Sequence, residues 1–402
     1  MQIMYNDVMK RFEITYKTYL CFVLALFVFW GAGTVSAAPI KIGDIKELKP
    51  VEFLSKEDFE SKTRAVDAVP NDDTHLAYKM RIPQDWGDNT AIANIVVDDG
   101  SVTEKVLGVV VRNVSPPHPE HARSFFTLEA VDLKYEIGLK DWFIHYKTLN
   151  GLSLEYLTEK NERELEAIFV EVKKDTTYIV RTKIMVNGSK KILAKYYVSQ
   201  DLYEEEKILQ AQVIDSFKLV DIDETPIEGL KTFSFLGQSY FDRPLSWSFN
   251  PPVIRSIDFV KTKLYRQSLW GKLSGQMDVQ ITNKLSVESF ADVVKRYRKD
   301  FNVTGYKIGD LIEAPTLKYS DDVSSGSTEV YKLIPNASNQ IEYELWVSVM
   351  EGSDYYYLTS LVTPSRDEEF YDWARNSATY KLVAKSVRRH DGQNNYLEYL
   401  KQ

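Results

Sequence analysis

Cysteine is the scarcest residue type, because the chain of 402 residues has a single one, Cys21. Cys21 lies inside an apolar run near the N-terminus, upstream of the point where we expect cleavage. A lipoprotein needs its cysteine at the cleavage point itself, so lipidation is not expected. The mature chain would have no thiol, which excludes disulfides, cysteine-ligated metal and a cysteine nucleophile.

Histidine is also scarce, and the motifs of familiar active sites are missing. There is no Gly-x-Ser-x-Gly elbow, no His-Glu-x-x-His, no phosphate-binding Gly-x-x-x-x-Gly-Lys and no dinucleotide fingerprint. We therefore expect no catalytic residue, no cofactor and no metal. A histidine-dependent triad would have to draw on five residues, His75, His118, His121, His145 and His390.

Two histidine patterns deserve an alternative interpretation. His118 and His121, with Glu120, are residue types that zinc or copper accepts. The prolines around them favour a stiff exposed loop instead. His145 follows Trp142 on a predicted helix, and we expect it at the rim or surface of that helix.

Basic residues are fewer than acidic ones. The chain has 50 lysines and arginines and 58 aspartates and glutamates, which gives a formal net charge of -8. Residues 1–37 carry a net charge of +1, so the mature chain has a charge of about -9. This acidic balance argues against nucleic acid as the general partner. The hydrophobic fraction of 44% is enough to fill two cores, and the length suits two domains of roughly 150 residues each.

The N-terminus has the composition of a secretory signal. Lys10, Arg11 and Lys17 are basic, Tyr19–Trp30 is apolar, and small residues precede Ala38. We expect cleavage after Ala37 and a periplasmic or extracellular location. An uncleaved anchor is the alternative, and Met9 is a second plausible start.

Two similar segments indicate an internal duplication. A strand over Val131–Glu136 leads into a helix over Leu139–Leu149, and a strand over Met277–Thr282 leads into a helix over Ser286–Phe301 with Ser286 as its N-cap. Apolar residues repeat at i, i+3, i+4 and i+7 in both helices, so each helix has one face that must be buried. We expect two tandem domains of the α+β class.

Further patterns complete both copies. Asn187-Gly188 predicts a hairpin between strands at 178–185 and 192–197, and Ser365 to Glu368 predicts a capping box before a last helix. The predicted segments are a signal peptide (1–37), an extended segment (38–63), domain 1 (64–220), a linker kept solvated by its acidic residues (221–229), domain 2 (230–390) and a C-terminal tail (391–402).

Short motifs in both copies resemble PsbP-like domains. Asp354–Leu358 running through Pro364-Ser365 into a helix, and Val213–Phe217 closing the last helix of the first copy, are similar to the C-terminal half of these domains. Ile82–Trp86 is similar to their beginning. The resemblance covers about half of the mature chain. It implies α/β/α sandwiches around an antiparallel sheet and a non-catalytic binding role, and it carries over no functional residue.

The sequence departs from the PsbP-like pattern at two points. The first copy has an extra hairpin around Asn187-Gly188, and the second has no tryptophan directly after Pro251-Pro252.

Two features are candidates for a protein-interaction surface. Basic residues on the second helix could form a docking patch, although a solvated helix face is the ordinary explanation. Consecutive tyrosines in a late strand place aromatic rings on both of its faces, so at least one ring should be exposed or at an interface. The candidates are Lys295, Arg296, Arg298, Tyr355 and Tyr357.

We expect an exported, non-catalytic adaptor that helps assemble or stabilise a complex of cell-envelope proteins. It would bind no nucleic acid, peripheral membrane association is possible, and the oligomeric state stays open. The alternative is a periplasmic carrier of an apolar ligand such as a lipid. A third class, a hydrolase using Asp132 and Asp278, rests only on their matching positions in the two copies.

Overall fold

A computed structural model describes residues 45–89, 104–149, 153–235, 237, 239–256, 259–267, 273–286, 289–301, 306–336 and 341–389. All of these residues belong to one compact unit, Ile42–Gln402. Within these ranges the chain forms five α-helices and four antiparallel sheets, a mixed α+β fold. The expected leader and the C-terminal tail lie outside the described residues. So do residues 92–97, for which the sequence predicts a strand paired with 106–111.

The first half, residues 45–219, is dominated by long strands of alternating or continuously apolar residues. Its central strand is buried on both faces because both are covered. The elements are α1 Lys56–Lys62, β1 Thr63–Ala68, β2 Tyr78–Pro83, β3 Gly87–Asp88, β4 Glu104–Val114, β5 Phe125–Leu133, α2 Leu139–Leu149, β6 Ser153–Asn161, β7 Glu164–Lys173, β8 Thr176–Asn187, β9 Lys190–Ser199, α3 Tyr203–Ser216 and β10 Lys218–Leu219.

The second half, residues 230–389, repeats this order of elements, apart from a counterpart of α1. Its elements are β11 Leu230–Phe235, β12 Ser239–Pro244, β13 Ser248–Ser256, β14 Phe259–Gln267, β15 Leu273–Asn283, α4 Phe290–Phe301, β16 Tyr306–Glu313, β17 Ser325–Pro335, β18 Tyr343–Glu351, β19 Tyr355–Pro364, α5 Phe370–Ser386 and β20 Arg388–Arg389.

The sheets of the two halves have the same strand order. The large sheets run β3-β4-β5-β9-β8-β7-β6 and β13-β14-β15-β19-β18-β17-β16. The small sheets run β1-β2-β10 and β11-β12-β20. The helices follow the same rule, since α2 and α4 come after the third large-sheet strand, and α3 and α5 come after β9 and β19.

Helices pack against both large sheets. In the first half, one cluster joins Tyr196 of β9 to Ile214 of α3 and to the small sheet. The opposite side of that sheet packs with Trp142 and Phe143 of α2. In the second half, α4 packs against β18 and β19, whereas α5 lies with β15 and the small sheet in another cluster.

One apolar cluster extends across both halves. It holds α2 and its sheet from the first half together with α5 and its sheet from the second. The ring of His145 on α2 lies 4.5 Å from that of Tyr371 on α5, and the Arg375 guanidinium lies 4.0 Å from the centre of the Tyr135 ring. His145 is therefore half-buried at the contact between the halves. Neither half completes this core alone.

The sequence anticipated several elements with their bounds. Helix α2 is present over Leu139–Leu149, and Asn187-Gly188 closes the β8–β9 hairpin with Gly188 at a φ of 55°, where glycine has no steric cost. The strand expected to end at Glu136 ends at Leu133. The predicted boundary at 221–229 stays a prediction, although this segment is bound to the first half: the Asp223 N–H donates to the Asn187 side chain at 2.6 Å.

The capping box predicted at 365–368 does not form. Helix α5 begins at Phe370, and the buried Ser365 hydroxyl has no hydrogen-bond partner among the described residues. Arg366 explains the difference, because its guanidinium bonds to Glu344 and holds this turn against β18.

The start of α4 also differs from the prediction. Ser286 lies in a 3₁₀ turn, and the helix begins at Phe290. The hydroxyl of Ser289 accepts the Asp292 N–H at 3.3 Å, so Ser289 makes the N-cap hydrogen bond that was predicted for Ser286.

The extended segment before α1 covers the outer strand of the first large sheet. Lys46 pairs with Tyr156 as a parallel bridge, with hydrogen bonds from the Lys46 N–H to Glu155 and from the Leu157 N–H to Lys46. The segment therefore protects the β6 edge. Within the described ranges, no helix is long and apolar enough to cross a membrane.

A shared core predicts that the two halves unfold together. Trp142 is 1% exposed, and its replacement by alanine should lower the free energy of unfolding by about 3–5 kcal/mol. Differential scanning calorimetry should show one unfolding transition, and in Trp142→Ala the whole transition should move to a lower temperature. The control Phe53→Ala removes a ring that is 44% exposed and should change little. Two transitions, with only one displaced, would contradict a common core.

Candidate functional site

A cleft of about 760 Å³ lies between the two halves. The start of α2, the β6–β7 turn and the linker form one side, and α5 with the end of β16 forms the other. Clefts between structural units are common binding sites. Its lining includes Glu136, Asp141, Glu162, Lys191, Glu313, Arg366, Trp373, Ala378, Lys381 and Lys385.

Glu136 fastens the linker to the floor of this cleft. Its carboxylate accepts the Ile227 N–H at 2.6 Å and the Glu228 N–H at 3.4 Å. Because β5 ends at Leu133, Glu136 has left the sheet and can turn towards the linker. These two bonds fix the point at which the chain passes from one half to the other.

Burial controls the protonation of the groups around Glu136. Burial raises the pKa of Glu136 and lowers the pKa of Lys191 to about 7. Lys191 is 1% exposed, and its ammonium donates to the Ile137 carbonyl at 3.2 Å. Burial, with a smaller contribution from the nearby Glu136, raises the pKa of Glu228 to about 7, although the hydrogen bond from the Ser246 hydroxyl acts in the opposite direction.

The opposite wall is built around a buried acid, Glu344. Arg366 Nε lies 2.9 Å from Glu344 Oε1, and Trp373 Nε1 donates to Glu344 Oε2 at 2.7 Å. A second nitrogen of Arg366 reaches Glu313 at 3.0 Å. These groups satisfy one another, so this network positions α5 and the Trp373 ring rather than offering a free acid or base.

The rim of the cleft carries both signs of charge. Lys385 of α5 forms a 2.9 Å ion pair with Glu162 of the β6–β7 turn, which links the halves across the opening. Lys381 and the half-buried Asp141, whose pKa is raised by burial, also line the cleft. Apolar surface comes from Ile137 and Trp373. Such a lining suits a polypeptide segment better than a purely apolar ligand.

The structure places the five predicted interaction residues away from this cleft. Lys295, Arg296 and Arg298 are exposed on the outer side of α4. Tyr357 is only 2% exposed, with its hydroxyl 3.2 Å from that of Ser239, so a partner cannot reach it in this fold. The Tyr355 ring lies 6.4 Å from that of Tyr357 and is partly buried.

The residues of the metal and hydrolase alternatives have structural contacts. The rings of His118 and His121 are 4.6 Å apart, and His118 Nδ1 accepts the N–H groups of Glu120 and His121. No group of three or more potential metal ligands occurs among the described residues. Asp132 accepts the Ser189 hydroxyl, whereas Asp278 pairs with Lys261 at 2.7 Å, so the two acids lie in different sheets.

A second cleft, of about 650 Å³, brings together two segments that stand out in the sequence. Pro83–Trp86 forms one wall and Ser115–His118 another. Glu206 lies between them and accepts the hydroxyls of Ser124 and Tyr196. The Trp86 and Tyr196 rings, 4.8 Å apart, support this cleft.

Sequence reasoning missed the cleft residues. Glu136, Lys191 and Glu344 are charged residues that stand beside or within apolar strand patterns. A charged residue in such a pattern was the sequence feature that could have pointed to them, because charged residues are rarely buried without a partner. Their partners come from distant parts of the chain, so no spacing rule could have joined them.

No protein-family model and no curated protein matches this chain. Among solved structures it is similar to cyanobacterial PsbP (CyanoP) from Synechocystis sp. PCC 6803, with a TM-score of 0.28 and 18% identity, covering 42% of this chain and 98% of that chain. It is also similar to a chain of the Tle4-Tli4 complex (TM-score 0.20, 9% identity, 82% and 98% covered). A third similar structure is that of the immunity protein TplEi of T6SS from Pseudomonas aeruginosa. Its TM-score is 0.21 and its sequence identity is 9%, and the match covers 78% of this chain and 94% of that chain. TM-scores of this size carry no fold or function over to this chain.

The raised pKa of Glu228 predicts a pH-dependent stability. Between its ordinary pKa of 4.5 and about 7 the folded chain holds a proton that the unfolded chain has lost, so stability falls as pH rises through this window. Allowing for partial exposure, we expect a loss of about 1–2 kcal/mol that Glu228→Gln abolishes. Urea unfolding across this pH range measures it, with the exposed Glu52→Gln as control. Equal pH dependence in wild type and Glu228→Gln would refute the assignment.

Lys147 of α2 is a second buried ionisable group, outside the cleft. Its nitrogen lies 3.0 Å from the centre of the Phe169 ring and has no hydrogen-bond partner among the described residues. Burial lowers its pKa to about 6, and Lys195 contributes in the same direction. The amine is therefore mostly neutral at pH 7.

Replacement of Lys147 by methionine should stabilise the fold. Between about 6 and the ordinary value of 10.5 the unfolded chain carries a proton that the folded chain lacks, so wild-type stability rises with pH. At neutral pH, Lys147→Met should gain about 1–3 kcal/mol, shrinking as the pH approaches 10.5. Denaturant titrations at several pH values test this, with the exposed Lys160→Met as control. A destabilised methionine variant at neutral pH would show that the lysine is needed there.

Proposed function

We propose that this chain is an exported, non-catalytic binding protein that holds a partner protein in the cleft between its halves. In this way it would help to assemble or stabilise a cell-envelope complex. The observation that carries the proposal is the composition of the cleft, whose lining combines apolar residues, Ile137 and Trp373 among them, with charged residues from both halves. Protein interfaces commonly combine an aromatic anchor site with a polar rim.

The rigidity of the cleft supports binding. The linker is fixed by Glu136, α5 is fixed by the Glu344 network, and the apolar cluster beneath spans both halves. A preorganised site loses little conformational entropy when a partner binds. The charged lining gives the alternative, a lipid carrier, less support, because an apolar ligand would remove those charges from contact with water.

The chemistry of the cleft supports a non-catalytic role. Its buried acid Glu344 is held by Arg366 and Trp373, and Lys191 donates to a backbone carbonyl. The carboxylates of the hydrolase alternative, Asp132 and Asp278, are not part of the lining. Groups that are committed to structure are poor nucleophiles or bases.

We also propose that the halves are tandem copies of one PsbP-like α/β/α sandwich, with domains at 64–220 and 230–390. The identical strand orders of the large and small sheets support this, together with helices on both large sheets. Export rests on the composition of residues 1–37, and N-terminal sequencing of the protein from the periplasm or medium would test cleavage after Ala37.

Blocking the cleft should abolish partner capture. Ala378 lines the cleft and is half-buried, so Ala378→Trp fills the cleft without removing any side-chain hydrogen bond. We expect the exported wild type to retain a specific envelope protein after crosslinking and affinity purification, and Ala378→Trp to lose at least about tenfold of it. Quantitative mass spectrometry measures the retained partner.

The matched control is Ala65→Trp, which adds the same ring to an exposed position on β1. It should retain the partner as wild type does. Equal capture by Ala378→Trp, or recovery of a stoichiometric lipid and no protein, would contradict the proposal.

A further inference from the structure

Among the described helices, α4 has the largest number of basic residues on its outer side. The helix packs through Val293 and Tyr297, which are 1% and 6% exposed, and turns four basic residues to the solvent. Two of them flank Tyr297 in the sequence, and the four together define what we name the α4 basic face: Lys295, Arg296, Arg298 and Lys299.

Comparison with α2 shows that this face is left uncovered. Helix α2 has the same place in the first half, yet none of its residues 139–148 is fully exposed, because α5 of the second half packs against it. Among the described residues, no element packs on the α4 basic face in the corresponding way. The two halves therefore contain equivalent helices, of which α2 is covered on its outer side and α4 is exposed to solvent there.

The α4 basic face has little internal neutralisation. Among its contacts with described residues, the one ion pair joins Arg298 to Glu329 at 3.6 Å, and both of these side chains are about half exposed. Lys295, Arg296 and Lys299 form no ion pair with the described residues. The whole chain has a net charge of -8, so this cluster of cations has the opposite sign to the protein as a whole. Such a patch attracts an anionic surface.

A second copy of this chain is a poor occupant. By analogy with the packing of α2, a second copy would present the α5 side of its second half. That side carries Lys381 and Lys385 at the cleft and Arg375 beside Tyr135. Basic residues would then oppose basic residues, which is unfavourable.

An exposed leucine beside α4 adds an apolar element. Leu285 is 95% exposed, the most exposed of the large apolar side chains described. Its neighbour Lys284 lies 5.1 Å from the centre of the Tyr356 ring, and the Phe290 ring at the start of α4 packs on the same tyrosine at 5.8 Å. Leu285 lies in the 3₁₀ turn Lys284–Ser286, which precedes α4 in the chain.

We propose that the α4 basic face, with Leu285, is a docking surface for an anionic lipid membrane. The cations would contact lipid phosphates while Leu285 enters the boundary between headgroups and acyl chains. An apolar side chain with this exposure favours a membrane over an acidic protein, because a hydrated acidic surface offers it no apolar environment. This surface is separate from the cleft, so the proposal does not depend on the function proposed for the cleft.

Vesicle co-sedimentation tests the proposal. The full chain is mixed with vesicles of phosphatidylcholine containing phosphatidylglycerol, and with pure phosphatidylcholine, at low and high salt. All variants carry the same N-terminal sequence, so differences between them report α4. Each cation near an anionic surface contributes about a fivefold change in affinity. The triple variant Lys295→Gln, Arg296→Gln, Lys299→Gln should bind the anionic vesicles about a hundredfold more weakly.

A matched control neutralises three exposed lysines elsewhere, Lys56→Gln, Lys62→Gln and Lys231→Gln, and should bind as wild type does. Leu285→Ser should weaken vesicle binding several-fold and leave binding to poly-glutamate unchanged. Binding that prefers anionic vesicles and weakens with salt supports the proposal. Equal loss in the control triple, absence of vesicle binding, or binding to poly-glutamate alone would overturn it.

Discussion

The shared apolar layer between the two halves is the constraint on which the rest of the structure depends. Helix α2 of the first half and helix α5 of the second lie in one cluster with both large sheets, so each half supplies part of the cover that the other needs. Apolar area removed from water stabilises this arrangement at about 25 cal/mol per Å². The relative position of the halves is therefore set by packing rather than by the linker alone.

The cleft is a consequence of this layer. Charged residues lie next to the apolar residues of α2 and α5 at the cleft. Each of them has a partner across or beside the opening: Glu136 bonds to the linker amides, Glu344 to Arg366, and Glu162 to Lys385. A buried charge is tolerated only with such partners. The same pairs hold the walls of the cleft in place.

Local patterns predicted much of the fold and little of the cleft. The 3.6-residue repeat of Leu139–Leu149 and the turn at Asn187-Gly188 are properties of neighbouring residues, and both predictions were correct. Capping failed at Ser365 because Arg366 reaches Glu344, 22 positions away in sequence. Tyr357 lies in the core for a similar reason, since the small sheet covers that face of β19 at Ser239. Contacts between distant segments decide these features, and a single sequence does not show them.

Native-state hydrogen exchange of the α2 and α5 amides tests most directly whether the halves form one unit around a fixed cleft. If the shared layer governs the structure, the slowest amides of both helices exchange only through global unfolding, with the same free energy and the same dependence on denaturant. If the amides of α5 exchange through a separate opening of lower free energy while those of α2 stay protected, the halves are independent and the cleft is not a fixed site.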